Sequence, residues 1–438
     1  MPRSALRGFT CSLCNAFYPE LPFAAVCDRC SKPLNALYEY EAVRIALRER
    51  PLADRPWNLW RFDEMLPVSA GARIGVETGF SPLIRAERLG RKLGFDDLWI
   101  KNDTVLVPSL SYKDRVVSIA LQRALESGHD RIGCVSTGNV GNSVAATAAQ
   151  VGIDATVFYP RQVDPAKITS TAGYGVRIIR LDGTYDEVNT TCRRLALETG
   201  VPFVNINLRP YYAEGAKTLA YEIAEQLAWQ PPDHCVVPVA GTTLIRKVIK
   251  GFWELDQVRL TDGSPTRVHA AQAEGCSPVA RAVLDGSDEI EPSVPDTLAD
   301  SIAIGAPSEG GIAAHEIRSV GGSAAAVPDD EILRAMALLA ETEGILAEPA
   351  GGTAVAAAAA LLENGTIARS ERVVVAVTGN AFKTLDAVAA LPGSRTAEAM
   401  PLDEADAIFQ RWLEGDPGQA RRVRATPSPS PSSETARR

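Results

Sequence analysis

The chain has 438 residues, 46% hydrophobic and 23% charged, with 54 acidic against 45 basic side chains and a formal net charge of −9. At ~100 to 200 residues per domain this length allows two to four domains, and the composition is that of a globular chain rather than a disordered or collagenous one. The acidic balance excludes a broad basic surface for nucleic acid or anionic lipid, although small anionic ligands stay possible because local dipoles outrank net charge at a pocket.

Four of the eight cysteines come first, as Cys11, Cys14, Cys27 and Cys30. Two CxxC knuckles at this spacing can close a tetrahedral thiolate site around zinc; the competing readings are a reduced metal-free loop or disulfides, which a cytosolic redox state disfavours. The knuckles carry too few basic and aromatic neighbours for nucleic acid, so the segment reads as a structural appendage. The start MPRSALRGFTCSLC lacks a signal-peptide core and no apolar run reaches the ~18 residues of a membrane helix, so a cytoplasmic protein with no membrane partner is expected.

Residues 41 to 75 read as a helix and a Pro- and Trp-bearing connector, leading to the turn-rich ETGFSPL at 77–83. A long alternation follows: strand 98–101, helix from Lys113 to about Ser127, strand 131–137, helix from Gly141, strand 155–160, helix 165–172, strand 176–181, helix 185–198, strand 203–206, helix 214–228 and strand 234–240. Strands at 268–274 and 372–379, with an Ala-rich helix at 353–363, carry the pattern to about residue 390. Short apolar runs separated by amphipathic stretches predict βαβ units, buried parallel sheet and an α/β enzyme fold. A short helix at 403–414 precedes a Pro-, Ser- and Arg-rich end that predicts a disordered tail. The later cysteines, Cys134, Cys192, Cys235 and Cys276, read as buried inert thiols.

Three predicted strand ends carry chemistry, because ligands on open parallel sheets bind where strands end and helices begin. They are Ser111-Tyr112-Lys113-Asp114-Arg115, Ser136-Thr137-Gly138-Asn139-Val140, and Ala240-Gly241-Thr242-Thr243 before a helix with Lys247 and Lys250. Singly each is weak. Together with YAEGAKT at 212–218, EGILAEPA at 343–350 and VTGNAFKT at 377–384, they resemble in order the threonine synthase family of pyridoxal-phosphate (PLP) enzymes. The resemblance implies fold type II, tryptophan synthase β-like: two open parallel-sheet domains with an N-terminal zinc-ribbon-like appendage. The implied boundaries are the ribbon at 1–40, a larger PLP-binding domain at 41–125 and 215–400, a smaller α/β domain at 126–214, and the helix and tail at 401–438. A homodimer is also implied.

Carried over residue by residue, the resemblance makes Lys113 the covalent anchor of PLP and the group that shuttles protons once substrate releases it. Asn139 would hydrogen-bond the phenolic 3′-oxygen of PLP, Gly241, Thr242 and Thr243 would hold its phosphate, and Thr378 would face the pyridine nitrogen. An alcohol there does not keep that nitrogen protonated, which favours elimination or replacement at the β or γ carbon over transamination. Thr78, Ser136, Thr137 and Gly138 would contact substrate. Lys217 and Lys383 fall outside the family's lysine slot and read as structural.

The chain departs from the family at the phosphate loop, where one glycine is left, and around the substrate. Val140 stands where the family has Thr, Val107-Pro108-Ser109-Leu110 where it has Asn-Pro-Thr-Gly, and Tyr212 in the slot of a phosphate-pairing arginine, with Arg209 three residues away as a substitute. These losses predict a PLP-dependent lyase acting by β/γ-elimination or replacement on an amino acid other than O-phosphohomoserine. The alternatives are a true threonine synthase and, from another class, an inactive PLP-fold or zinc-ribbon binding protein.

Overall fold

The computed structural model describes residues 4–21, 25–69, 74–161, 163, 165–393 and 401–414. The chain begins with a small antiparallel sheet of β1 (Leu6–Cys11), β2 (Phe17–Tyr18) and β3 (Leu34–Tyr38), in the order β2-β1-β3. Asn15 and Ser31 each follow the second cysteine of a knuckle and have φ near 57°, the left-handed turn that folds each knuckle back. Helix α1 (Tyr40–Glu49) and two 3₁₀ turns then lead to the main body.

There β4 (Leu83–Arg85), α2 (Glu87–Leu93), β5 (Asp97–Asn102) and α3 (Lys113–Glu126) come before the smaller unit. That unit alternates β6 (Arg131–Val135), α4 (Asn139–Val151), β7 (Asp154–Pro160), α5 (Pro165–Ala172), β8 (Arg177–Leu181) and α6 (Tyr185–Thr199). Its three strands form a parallel sheet in the order β6-β7-β8. The chain returns through α7 (Arg209–Ala216), α8 (Thr218–Gln226), β9 (His234–Pro238), α9 (Thr243–Gln257), β10 (Arg267–Ala273), α10 (Pro278–Leu284) and α11 (Gly310–Ser319). It ends with β11 (Ala324–Val327), α12 (Asp329–Glu343), α13 (Pro349–Glu363), β12 (Arg372–Val377), α14 (Leu385–Ala389) and α15 (Ala405–Leu413). The larger sheet runs β11-β10-β9-β12-β5-β4, parallel throughout except for β4 at its edge.

Helices cover both faces of the larger sheet, so its central strands carry continuous rather than alternating apolar sequence. HCVVP in β9 is buried at every position and RVVVAV in β12 at all but Arg372. The C-terminal ends of β6, β9 and β12 all open on one cleft, which is where such sheets bind ligands.

Three expected elements differ. Residues 203–206 are no strand: only Phe203 bridges to Gly133, and asparagine side chains replace the ladder. Asn205 donates to Val135 O at 2.8 Å and accepts from Val135 N at 3.2 Å, while Asn207 accepts from Phe203 N at 2.6 Å. The helix expected at 214–228 is two, α7 and α8, hinged at Lys217. The helix expected from Gly141 starts two residues earlier, and the predicted tail lies outside the described residues.

Candidate active site

The SYKDR segment sends its three charged side chains three ways. Lys113, the first residue of α3, points into the cleft, where its Nζ meets the hydroxyl of Tyr112 and lies 4.2 Å from that ring's centroid. Asp114 is buried and accepts from Ser109 Oγ (2.7 Å), Ser109 N (2.9 Å) and Ser143 Oγ (2.6 Å). Burial pushes its carboxyl up while the serine donors pull the other way. Since Ser143 belongs to α4, this carboxylate ties the smaller unit to the helix that carries Lys113. Arg115 is fully buried between Asp103 and Glu222, and Lys101 completes the cluster at 2.7 Å from Glu222. Burial works against the Glu222 charge, yet Arg115 and Lys101 hold its carboxyl down at about 2. Buried ions at this density are tolerable only when each is paired, as here.

The cleft has a volume of about 240 Å³. Lys113, Asn139, Gly241, Thr242, Thr243 and Thr378 line it, together with Ser136, Thr137, Val140, Arg209 and Tyr212. The structure therefore gathers most of the sequence-derived site residues in one place. Two are not on its wall. Thr78 is buried and spends its hydroxyl on Val107 O at 2.7 Å, which supports the loop ahead of Lys113 instead. Gly138 lies behind the wall at φ 150°, and a Cβ there would come 2.8 Å from Lys167 Cδ, so the turn before α4 has room for glycine only. Ser136 is already engaged within the loop, accepting from Gly138 N at 2.9 Å and Gly141 N at 2.8 Å. That leaves Thr137, half-exposed beside it, as the free hydroxyl of the turn.

The start of α9 is built for an anion. No side chain caps its first turn, so the backbone N–H groups there lack intrahelical partners and stand at the positive end of a 15-residue helix. Thr242 holds the left-handed conformation at φ 69° to present that turn to the cleft. Thr378 follows β12, and its carbonyl accepts from Tyr112 N at 2.9 Å, which fixes the threonine beside the lysine turn. A phosphorylated aromatic aldehyde bound here would find an amine at Lys113, orphan N–H groups at the start of α9 and a neutral alcohol at Thr378. The donor set fits PLP.

Several cleft residues escaped the sequence reading. Glu348, just before α13, is buried on the wall and is bonded to Asn139, which is bonded in turn to Lys383. Tyr185, Asp186, Asn189 and Arg193 form a polar stripe of α6 that faces the cleft while Val188, Cys192 and Ala196 face the core. In sequence such a stripe is indistinguishable from a solvated helix face. Arg209, by contrast, is committed to Glu309 at 2.5 Å, and Glu309 also binds Arg246. Tyr212 is buried, and loss of solvent raises its phenol well above the ordinary range.

The four early cysteines converge. Cys11 and Cys30 sulfurs are 3.3 Å apart, Cys14 and Cys27 3.5 Å, Cys14 and Cys30 3.7 Å, and all four lie within 4.8 Å of one another. A tetrahedron with Zn–S bonds of ~2.3 Å has edges of ~3.8 Å, close to these spacings. Among the described residues this is the one cluster of at least three such side chains that could hold a metal. The later four cysteines are all buried, and burial pushes the thiols of Cys192 and Cys235 up to about 12.

Residues 75–379 match the family model described as pyridoxal-phosphate dependent enzyme. Threonine synthase of Methanocaldococcus jannaschii is 36% identical over 380 residues, 86% of this chain and 93% of that protein. Threonine synthase of Methanosarcina acetivorans is 33% identical over 375 residues, 85% and 91% respectively. Among solved structures, Escherichia coli diaminopropionate ammonia lyase superposes with a TM-score of 0.62 at 17% identity, covering 77% of this chain and 92% of that one. Maize serine racemase gives 0.58 at 22%, covering 77% and 93%. At these identities the two structures speak for the fold.

Proposed function

This chain belongs to the family of pyridoxal-phosphate dependent enzymes, as a lyase of fold type II, and within it we propose a threonine-synthase-type reaction on an amino acid whose side chain ends in an anion, of the O-phosphohomoserine kind. The observation that carries the anion is Arg193. It lines the mouth of the cleft, is exposed, and has no acidic partner among the described residues. Burial of part of the side chain and the nearby Arg209 charge press its guanidinium below the usual value, so an incoming anion relieves an unfavourable arrangement. Arg193 thereby supplies, from α6, the cation that Tyr212 does not supply from α7. This favours the true threonine synthase over the altered substrate that Val140 and Tyr212 suggest in the sequence.

PLP would be held by Lys113, by the Gly241–Thr243 turn and the first N–H groups of α9, and by Thr378 at its ring nitrogen. Bound there, it supplies an electron sink for negative charge at the substrate's α carbon. Lys113, once displaced by the substrate amine, is the base that takes the α proton and the acid that returns a proton further along the side chain. Thr137 and the N–H groups of its turn orient the substrate carboxylate. Tyr112, Tyr185 and Tyr212 wall the side-chain channel, and burial raises the phenols of Tyr185 and Tyr212, so these two bring no charge and leave the anion to Arg193. We also propose that Cys11, Cys14, Cys27 and Cys30 hold one structural zinc.

An amino-acid substrate panel with product mass tests the reading. O-Phosphohomoserine should yield threonine, Lys113→Ala should lose both turnover and the visible cofactor band, and Arg193→Gln should lower kcat/KM for the phosphorylated substrate by about 10- to 100-fold, the loss of one charge-assisted contact. Turnover of neutral amino acids alone, indifferent to Arg193, would return the altered-substrate reading.

A further inference from the structure

Asn139, Glu348 and Lys383 reach one corner of the cleft from three parts of the chain: the start of α4, the residue before α13, and the 3₁₀ turn Ala381–Lys383 after β12. Asn139 Nδ2 lies 2.9 Å from each carboxylate oxygen of Glu348, and Asn139 Oδ1 accepts from Lys383 Nζ at 3.0 Å. The chemistry fixes which end of the amide is which. A carboxylate only accepts and an ammonium only donates, so the NH₂ must face Glu348 and the carbonyl must face Lys383. Of the two amide protons, the carboxylate fork shares one. The other proton, with the second lone pair of Oδ1, is what the Asn139 side chain has left for the cleft it lines. An asparagine held this way cannot turn its amide over, so a ligand oxygen on its Nδ2 side meets a donor.

We infer that Lys383 is a positioning residue that, through Asn139, selects the deprotonated form of the ring 3′-oxygen of bound PLP, an inference that rests on the cofactor reading above. An unclamped asparagine would serve a hydroxyl or an oxygen anion equally, by turning its amide over. The clamp holds the donor in place, for which an oxygen anion is the better acceptor, and the ammonium behind it adds positive charge. The charged neighbours of Lys383 are Glu348 and Asp114, which favour its charged form, and Lys167, which opposes it; Lys113 shares the cleft. Burial comes first and draws the Lys383 ammonium below its usual value, and the two carboxylates resist that loss.

The test uses the full chain loaded with PLP, its absorbance followed against pH and its cofactor affinity measured by fluorescence titration. In Lys383→Met the visible transition should move up by about one pH unit and cofactor Kd should weaken about tenfold, with Lys383→Arg recovering most of both. Lys383→Gln, which keeps a donor for Asn139 but no charge, should move the midpoint roughly half as far and serves if the Met variant does not fold. A folded variant whose midpoint stays within about 0.2 units of the unmodified protein overturns the inference. If the unmodified protein shows no visible band that Lys113→Ala removes, both this inference and the cofactor reading fail; a normal band with an unmoved midpoint sinks the inference alone.

Discussion

Gly379 shows how little slack the site has. A methyl group there would come 2.2 Å from Glu348 Oε1, and Glu348 cannot step aside because both its oxygens hold Asn139 and its own N–H donates to Gly379 O at 2.9 Å. Overpacking at a rigid contact costs ~1 to 3 kcal/mol. Gly379→Ala is therefore expected to lower the unfolding free energy by about that much and, by displacing the carboxylate, to loosen Asn139 and weaken cofactor binding. Paired denaturant melts and cofactor titrations check this; a variant as stable and as tightly loaded as the unmodified protein would show that Glu348 has room to move. The lysine, the turn glycine and the two threonines of this region were legible from motif order. Glu348 and Arg193 were not, because their significance comes from which elements meet, and a lone sequence does not state that.

At the scale of elements, the strands that announced themselves are those buried on both faces, such as VVVAV in β12. Strand β11, AAAV, stayed invisible because alanine has little strand preference and its pairing with β10 is decided by the sheet. The ribbon was visible from its cysteines, but its docking was not. Strand β3 is stitched to α9 and α7: Lys247 donates to Asn35 Oδ1 at 3.1 Å, Lys250 to Ala36 O at 2.6 Å, and Tyr38 to Glu214 Oε2 at 3.0 Å. Glu214, fully buried, is in turn neutralised by Lys217, Lys247 and Lys250. Phe9 meets Tyr211 edge-on with centroids 5.3 Å apart. None of these contacts supplies a cofactor ligand, so Cys11→Ser with Cys14→Ser should take metal from one per chain to near none and lower Tm, while the visible cofactor band keeps its stoichiometry. Metal analysis with thermal melts and absorbance decides it. An unmodified protein prepared free of metal would remove zinc from the account and leave a ribbon held by packing alone.

At the scale of the whole molecule, the end of the larger sheet opposite the cleft holds a second polar chain whose protons are fixed by its ends. Ser323 N donates to His269 Nδ1 at 3.0 Å, which leaves His269 Nε2 to carry the proton and give it to His234 Nδ1 at 2.8 Å. His234 Nε2 then donates to Glu371 at 2.9 Å. Both rings are neutral in this arrangement and both are buried. Burial, followed by the neighbouring His234 ring and the Arg267 charge, pushes the His269 imidazole down to about 3, and burial lowers His234 as well. A folded pKa below the unfolded one means that the unfolded chain binds the extra proton first, so stability is complete above ~6.5 and drains away as pH falls toward about 3. The full effect at His269 is on the order of 3 to 5 kcal/mol. Paired carboxylates such as Glu222, held at about 2, are also lost in acid, but only below the ordinary carboxylate range of ~4.5. Over the interval from about pH 6.5 to 4.5 the histidine contribution therefore falls before that of the carboxylates. Across it Tm should fall steadily in the unmodified protein and less steeply in His269→Gln, whose amide can accept from Ser323 N and donate to His234 without taking up a proton. Parallel Tm curves for the two proteins over that interval would show that the histidine pair is not what acid attacks first.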